Sequence, residues 1–391
     1  MTANRLTLHG RVHGYSAEAR PSHYPGPIWP PHRAGIDAHL SVGRNPSDVC
    51  EVSLPATIDI VCPAFNRSVA IKNTIDSVVA QNMTDWRLLV VSDGSTDDTD
   101  EVVLSYADSR VRLIRTERHG HPGGPRNIGL AAAAAPYIAY LDSDDRWLPD
   151  HLAVLRREFH RGARLVVTAS IGMNGQDEEQ YRSDLLNHVW HPDLQLLWAL
   201  YEPSRVGHVR GLAEAAGGWT TEHTGMEDWD LWLRMADQGE RFTTVSDRTV
   251  LMYLSDSSRR KTMDVRHRIK LGRTTKPEAL LARVRTPEIQ HELRAAFAKQ
   301  MLRFYESKAQ AGELVFPAEV SAGAVLARVT EFVREPATPM YRELSIDPDG
   351  TVYLPLQVSS ASHAARLQTF LRVHDSGRHR IVRRLIDGGN R

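Results

Sequence analysis

Three carboxylates fall within four positions at Asp142, Asp144 and Asp145, directly after the apolar run Tyr137 to Leu141. Like charges that close repel and raise one another's pKa. A hard divalent cation is the economical answer, since Mg²⁺ takes one or two carboxylates together with substrate phosphates and then dominates the local charge. The bland alternative is a solvated acidic turn with one Asp capping the next helix, which explains one acid better than three. A second acidic pair, Glu227-Asp228, opens the stretch MEDWDLWLRMADQG. There the plain alternative is a first helical turn whose acids suit the helix dipole.

From Thr57 onward, short apolar runs alternate with helical periods. TIDIVC, WRLLVVSD, VRLIRT and YIAYLD read as strands. Val69, Ile71, Ile75, Val78 and Val79 lie close to helical spacing. Ser95 with Asp98 resembles a capping box before a helix around DDTDEVVLSYA. PGGPRNIGLAAAAA is a loop running into a helix, with glycines that let backbone approach a ligand. The alternation predicts a mostly parallel sheet in a doubly wound α/β layer, where ligands sit outside the carboxyl ends of the strands. Pro63 to Asn66, Ser92 to Ser95 and Asp142 to Asp145 each follow such an end, so three distant segments are expected on one rim. Farther on, RLVVTAS and TVLMYL read as strands. Trp229, Leu231, Trp232 and Met235 share a helical face that Gly239 ends.

The ends of the chain have a different texture. Residues 1–54, rich in Pro, His, Gly and Arg, predict an extended arm with Tyr24 and Trp29 available to pin it. After residue 264, Thr286, Pro287 and Gly312 bracket a long helix whose apolar face is Ile289, Leu293, Phe297, Met301 and Phe304. A hairpin is expected around Asp347 to Gly350, then a helix near HAARLQTFLRV and a basic end. Over 391 residues, 48 Lys and Arg balance 48 Asp and Glu, which gives no reason to expect a nucleic-acid or membrane partner. Two cysteines, Cys50 and Cys62, are too few for a disulfide framework or a four-cysteine zinc site. Cys62 is expected as buried packing. No signal-peptide pattern opens the chain and no run approaches a membrane span, so a cytoplasmic setting is expected.

Four stretches, in order, carry a resemblance: IVCPAFNRSVAIKNTIDSVVAQ, LLVVSDGSTDDTDEVV, PRNIGLAAAAAPYIAYLDSDD and GMEDWDLWLRM. Together, over about residues 57–255, they resemble the family-2 glycosyltransferases, inverting nucleotide-sugar-dependent enzymes of the GT-A fold. The resemblance implies a GT-A unit over 55–264, between the arm and a mainly helical extension over 265–391. It implies that Asp142-Ser143-Asp144 is the DxD motif holding Mn²⁺ or Mg²⁺ and the donor diphosphate. Asp144 is then the expected direct metal ligand, with Asp142 nearer the ribose or sugar and Asp145 orienting the loop or donor. Pro63, Ala64, Phe65 and Asn66 match the loop beneath base and ribose, Asp93 the acid that receives a base N–H, and Arg126 a basic residue near the nucleotide. Asn66 as a helix cap, Asp93-Gly94 as a plain turn and Arg126 in a surface ion pair remain the bland readings.

The family's usual base is the second acid of the ED pair, so Asp228 is expected to deprotonate the acceptor, with Glu227 positioning it. Many relatives carry a His after this helix. Here MYLSDSSRRKT has none, so Arg259, Arg260 or Lys261 is expected near the leaving group, Arg260 foremost. One of Trp229 and Trp232 is expected in the core, the other open to a sugar. His119, His121, His188, His191, His208 and His223 lack zinc-site spacing and are expected on the surface or in the acceptor cleft, with His208 and Arg210 shaping the latter. The implied activity moves a sugar, UDP-linked by preference, to a small-molecule, peptide or saccharide acceptor in solution. Alternatives are a non-catalytic nucleotide-sugar-binding module or a sugar-phosphate nucleotidyltransferase, although CPAFNRS is not the basic glycine-rich phosphate loop of the latter. The C-terminal helices are expected to cover the acceptor cleft or form a homodimer face. The Ala- and Arg-rich composition suits a bacterial enzyme.

Overall fold

The structure is a computed structural model that describes residues 56–197, 200–221, 225–253, 267–334, 344–356, 361–374 and 376–389. The expected arm and the candidates His223, Arg259, Arg260 and Lys261 lie outside the described residues.

The first half follows the predicted alternation. Strand β1 (Ile58–Ala64) leads to helix α1 (Ala70–Val79), β2 (Trp86–Asp93) to α2 (Thr99–Leu104), and β3 (Val111–Thr116) to α3 (Gly123–Ala132) and β4 (Tyr137–Tyr140). β1 pairs in parallel with β2 on one side and β4 on the other, and β3 adds in parallel outside β2. A right-twisted strand feeding a packed helix returns to the sheet in this way. Helix α1 buries Ile71, Thr74, Ile75 and Val78, while Val69 and Val79 are exposed, so its apolar stripe is narrower than the sequence suggests. The expected Ser95–Asp98 capping box does not form: Asp98 is the residue before α2 but makes no side-chain cap, and the Thr99 N–H goes to Asp97 instead.

Beyond the acids the sheet changes sense. β5 (Arg146–Trp147), α4 (His151–His160), β6 (Leu165–Met173) and β7 (Glu179–Arg182) are followed by α5 (Pro192–Leu197), β8 (Val206–Val209), α6 (Leu212–Ala215), α7 (Glu227–Asp237) and β9 (Thr243–Tyr253). The order is β3-β2-β1-β4-β8-β6-β9-β5, with β7 beside β6. β8 runs antiparallel to both β4 and β6, β5 is antiparallel to β9 and β7 to β6, while β6 and β9 are parallel. The sheet is therefore mixed, which corrects the mostly parallel expectation. The strand inserted against the grain, VGHV, is short and holds Gly and His, so it carries no strand signal of its own.

The C-terminal region comprises β10 (His267–Arg273), α8 (Pro277–Val284), α9 (Pro287–Gln310), α10 (Ala322–Arg334), β11 (Ser345–Ile346), β12 (Thr351–Leu356), α11 (Ala361–His374) and α12 (Ser376–Gly389). The expected hairpin is present and gains a third strand, since β10 pairs antiparallel with β12. Leu293, Phe304, Val325 and Leu385 join one continuous core with Tyr140, Trp219 and Trp232 of the sheet's helical face. The C-terminal region is thus packed as part of the same body.

Three imidazoles are buried with the core. Burial pushes His151 and His188 down to about 3 and His208 to about 4, and Arg205 and Arg248 add to the shift at His188. Folded, they stay neutral; unfolded, they protonate near pH 6.5. Stability should therefore hold above about pH 6.5 and decline as pH falls toward the folded values, by up to about 1.4 kcal/mol per pH unit for each histidine. Thermal melts between pH 7.5 and 4.5 should show the midpoint dropping below about pH 6.5. A flat profile would contradict the buried neutral rings.

Candidate active site

β1 is central, so the turns after β1, β2 and β4 are neighbours. Pro63 and Ala64, both buried, end β1 opposite Val91 and Ser92. Asn66 sits at φ +49°, a left-handed position that Asn tolerates. Its Oδ1 accepts the Thr96 N–H at 2.9 Å and its own N–H donates to Ser95 Oγ at 3.3 Å. It therefore stitches the first loop to the second and does not cap α1. The next N–H groups, of Arg67 and Ser68, donate to Thr99 Oγ1 at 2.7 Å and Asp97 Oδ2 at 3.1 Å.

Asp93 ends β2 and is buried. Its carboxylate accepts the backbone N–H of His119 at 2.7 Å and of Gly120 at 3.2 Å, lies 2.9 Å from His119 Nδ1, and pairs with Arg118. The Arg118 guanidinium also lies 3.5 Å over the half-buried Phe65 ring. Phe65 and Asp93 thus form one small planar slot that Arg118 spans. The glycines of PGGP have a structural task instead of the expected approach to a ligand: a Cβ at Gly123 would stand 2.2 Å from the Thr220 carbonyl oxygen, and one at Gly124 2.4 Å from the His119 ring.

Arg126, on α3, gathers the acids. It is 2% exposed and lies 4.4 Å over the Trp219 ring. Nη2 donates to Asp142 Oδ1 at 2.5 Å, and Nη1 to Glu227 Oε1 at 3.3 Å. Burial opposes its charge, but Asp142, Glu227 and Asp228 outweigh burial and raise its pKa. This is a buried cation between two acidic motifs, not the surface ion pair of the bland alternative.

The acids after β4 differ in environment. The Asp142 N–H donates to Ser204 Oγ at 3.0 Å, and that hydroxyl donates to Asp145 Oδ2 at 2.5 Å. Asp145 Oδ1 accepts the Tyr253 N–H at 3.0 Å, so this buried acid fixes the end of β9 against the turn. Burial, then the charges of Asp144 and Asp142, push its pKa well up. Ser143 is buried, whereas Asp144 is 40% exposed and meets Arg67 Nη2 at 3.4 Å. Both partners of that pair are well exposed, so it is worth at most about 1 kcal/mol and yields readily to a ligand. Cys62 is buried beside them; burial, then Asp142 and Asp144, raise its thiol pKa, so it behaves as inert packing.

Glu227 and Asp228 form the first turn of α7, where acids suit the dipole. Glu227 is buried, and its Oε2 accepts the N–H groups of Gly225 at 3.1 Å and Met226 at 3.0 Å. Asp228 is half-buried and accepts the Trp229 N–H at 2.7 Å. Trp229 and Trp232 are both core residues, their indole N–H groups bonded to the carbonyls of Gln195 and Tyr201, so neither is open to a sugar. His208 is fully buried, hydrogen-bonded at 2.8 Å to Tyr140 Oη and at 2.8 Å to the Val209 carbonyl. His188 and His191 are buried as well. These histidines are structural, contrary to the cleft or surface position expected for them; Arg210 is exposed.

No cluster of three or more His, Cys, Asp or Glu suited to a metal ion occurs among the described residues. The donors on hand are the hard oxygens of Asp144 and Asp142. That set fits Mg²⁺ or Mn²⁺ when phosphates complete the shell, and it does not fit a closed structural site.

Arg67, Arg118, His119 and Ser204 are site residues that sequence reasoning missed. Each acts across strands, and only the position of Arg67 one residue past the first loop offered a signal.

Comparison with known proteins follows this geometry. Residues 59–216 match the family model described as glycosyl transferase family 2. The chain is 39% identical over 95 residues to the Escherichia coli UDP-Glc:alpha-D-GlcNAc-diphosphoundecaprenol beta-1,3-glucosyltransferase WfgD, covering 24% of this chain and 38% of that protein. It is 32% identical over 108 residues to the Campylobacter jejuni GalNAc(5)-diNAcBac-PP-undecaprenol beta-1,3-glucosyltransferase, covering 27% of this chain and 35% of that one. The chain thus spans less than two-fifths of the length of these relatives. Among solved structures, S. aureus TarS 1-349 in complex with UDP-GlcNAc is 15% identical, with a TM-score of 0.47 over 85% of this chain and 91% of that one.

Proposed function

We propose, from the premise that the chain belongs to glycosyl transferase family 2 through residues 59–216, that it moves a sugar from a nucleotide diphosphate-sugar to an acceptor by single displacement with inversion. Arg126 carries this reading, because one buried guanidinium holds Asp142 at the end of β4 and Glu227 at the start of α7. The two acidic motifs thereby share one wall.

In the displacement, the acceptor oxygen bonds to the anomeric carbon while the bond from that carbon to the diphosphate oxygen breaks. The acceptor proton passes to Asp228, and the nucleoside diphosphate leaves with the electron pair. Glu227, held by Arg126 and two backbone N–H groups, fixes the helix turn that presents Asp228. Mn²⁺ or Mg²⁺ on Asp144 and Asp142 would supply charge neutralisation to the departing diphosphate. Pro63, Ala64 and Asn66 line the ribose side, with Ser143 beneath the diphosphate; Arg260 is proposed near the leaving group. A uracil would lie on Phe65 with its imide N–H toward Asp93, which favours UDP and requires Arg118 to yield part of its contact there.

The names of both curated relatives describe diphosphoundecaprenol acceptors. They favour a lipid-linked acceptor over the soluble one expected from the sequence. No helix among the described residues is long and apolar enough to cross a membrane.

Incubating the full chain with Mn²⁺ and a panel of nucleotide sugars should release nucleoside diphosphate slowly, UDP foremost, and chelation should stop it. Binding without release favours a non-catalytic module, and release of pyrophosphate favours a nucleotidyltransferase. Adding polyprenyl-diphosphate sugars or soluble saccharides then separates the acceptors. Asp144→Ala should lower turnover by roughly a hundredfold or more, since Lewis-acid stabilisation amounts to several kcal/mol, and should abolish the Mn²⁺ dependence of UDP binding by calorimetry. Unchanged Mn²⁺ dependence would remove Asp144 as metal ligand.

A further inference from the structure

Charge is segregated toward the C-terminal end. Residues 361–391 carry seven arginines against two aspartates, in a chain of zero formal net charge. On α12, Ile381, Val382, Leu385 and Ile386 are buried against α8, α9 and β10, which turns Arg380, Arg383 and Arg384 outward as exposed side chains. Beside them an open groove of about 520 Å³ runs between α9 and α12. Lys299, Arg380 and Arg384 line it over a floor of Ala295, Ala296 and Gly377. One acid, Glu292, shares the groove and meets Arg384 at 2.7 Å, a pair exposed on both sides. Asp387 is the acid on α12 itself. Val373, at the end of the adjoining α11, is 64% exposed.

We propose that this face docks on an anionic phospholipid surface, with headgroup phosphates seated in the groove. Arg380 and Arg384 offer planar forks that match phosphate oxygens, and the small residues of the floor leave room for them. The apolar side of α12 is already buried, so attachment is electrostatic and does not insert the helix. A nucleic acid fits less well, because α12 has no Phe, Tyr or Trp on which bases could stack. The surface is separate from the donor site, so the proposal does not depend on sugar-transfer chemistry.

Vesicle flotation of the full chain tests it. The chain should float with vesicles containing phosphatidylglycerol and remain behind with phosphatidylcholine alone, and high salt should release it. With roughly fivefold affinity per basic residue at an anionic surface, the Arg380→Glu, Arg383→Glu, Arg384→Glu triple variant should bind these vesicles at least about a hundredfold more weakly. Its thermal melt and UDP binding should be unchanged, since these side chains are exposed and outside the donor site. A control reversing the exposed Arg115, Arg161 and Arg182 matches its net charge and should float like the wild type. The proposal is overturned by failure of the wild type to float, by equal flotation of the triple variant, or by equal loss in the control. Tighter binding to a duplex RNA or DNA than to the vesicles overturns it too, as does displacement by glycerol phosphate at lipid-equivalent concentration, which would leave a free-anion site only.

Discussion

Asp228→Asn should leave the chain folded and able to bind donor while lowering sugar transfer by about 10²–10⁴-fold, the range typical for loss of a general base. Asn keeps the size of the side chain and can still accept the Trp229 N–H that Asp228 receives at 2.7 Å, so the α7 turn is preserved. What disappears is the capacity to take the acceptor proton. Glu227 cannot substitute: one carboxylate oxygen faces Arg126 and the other holds the N–H groups of Gly225 and Met226. The loss should fall on kcat with KM for donor little changed, the pattern of an interaction made only in the transition state. Steady-state transfer assays beside calorimetric UDP binding separate the two. Transfer within a few-fold of the wild type would place the base elsewhere, and loss of UDP binding would make Asp228 a donor ligand instead.

Much of the scaffold was legible because local signals agreed with the global fold. WRLLVVSD and VRLIRT coincide with β2 and β3, and Thr286, Pro287 and Gly312 bracket α9. The failures are equally physical. VGHV became an internal antiparallel strand through its neighbours β4 and β6, not through its composition. The final basic stretch was read as an end segment, yet Ile381, Val382, Leu385 and Ile386 recur on one helical face among the arginines. There the polar residues masked a period that packing against α9 then fixed.

At the site, residue type was legible and partnership was not. The crowding of Asp142, Asp144 and Asp145 is visible in one line of sequence. That Ser204 ties Asp142 to Asp145, or that Arg67 meets Asp144, depends on strands brought together from far apart. The same holds in reverse for His208, Trp229 and Trp232. Each is a plausible cleft residue by type, and burial, a tertiary property, makes each a core residue.

Arg126→Ala should give the largest stability loss, about 3–5 kcal/mol, because it strips the cation from buried carboxylates and does not simply delete a contact. Glu227 is 5% exposed and would keep an uncompensated charge next to Asp142 and Asp228. Against a typical total of about 5–15 kcal/mol, that brings the chain near its threshold. Arg126→Lys should recover little, since one ammonium cannot span both carboxylates as the planar fork does. Denaturant unfolding of Arg126→Ala, Glu227→Gln and the double variant distinguishes a true bridge from a bystander. If Arg126 neutralises Glu227, the double variant is more stable than the sum of the single losses by at least about 1 kcal/mol, as expected for residues in one ion-pair network. Strict additivity would mean that the two motifs lie side by side without coupling, and the shared wall on which Asp228 depends for its placement would lose its physical basis.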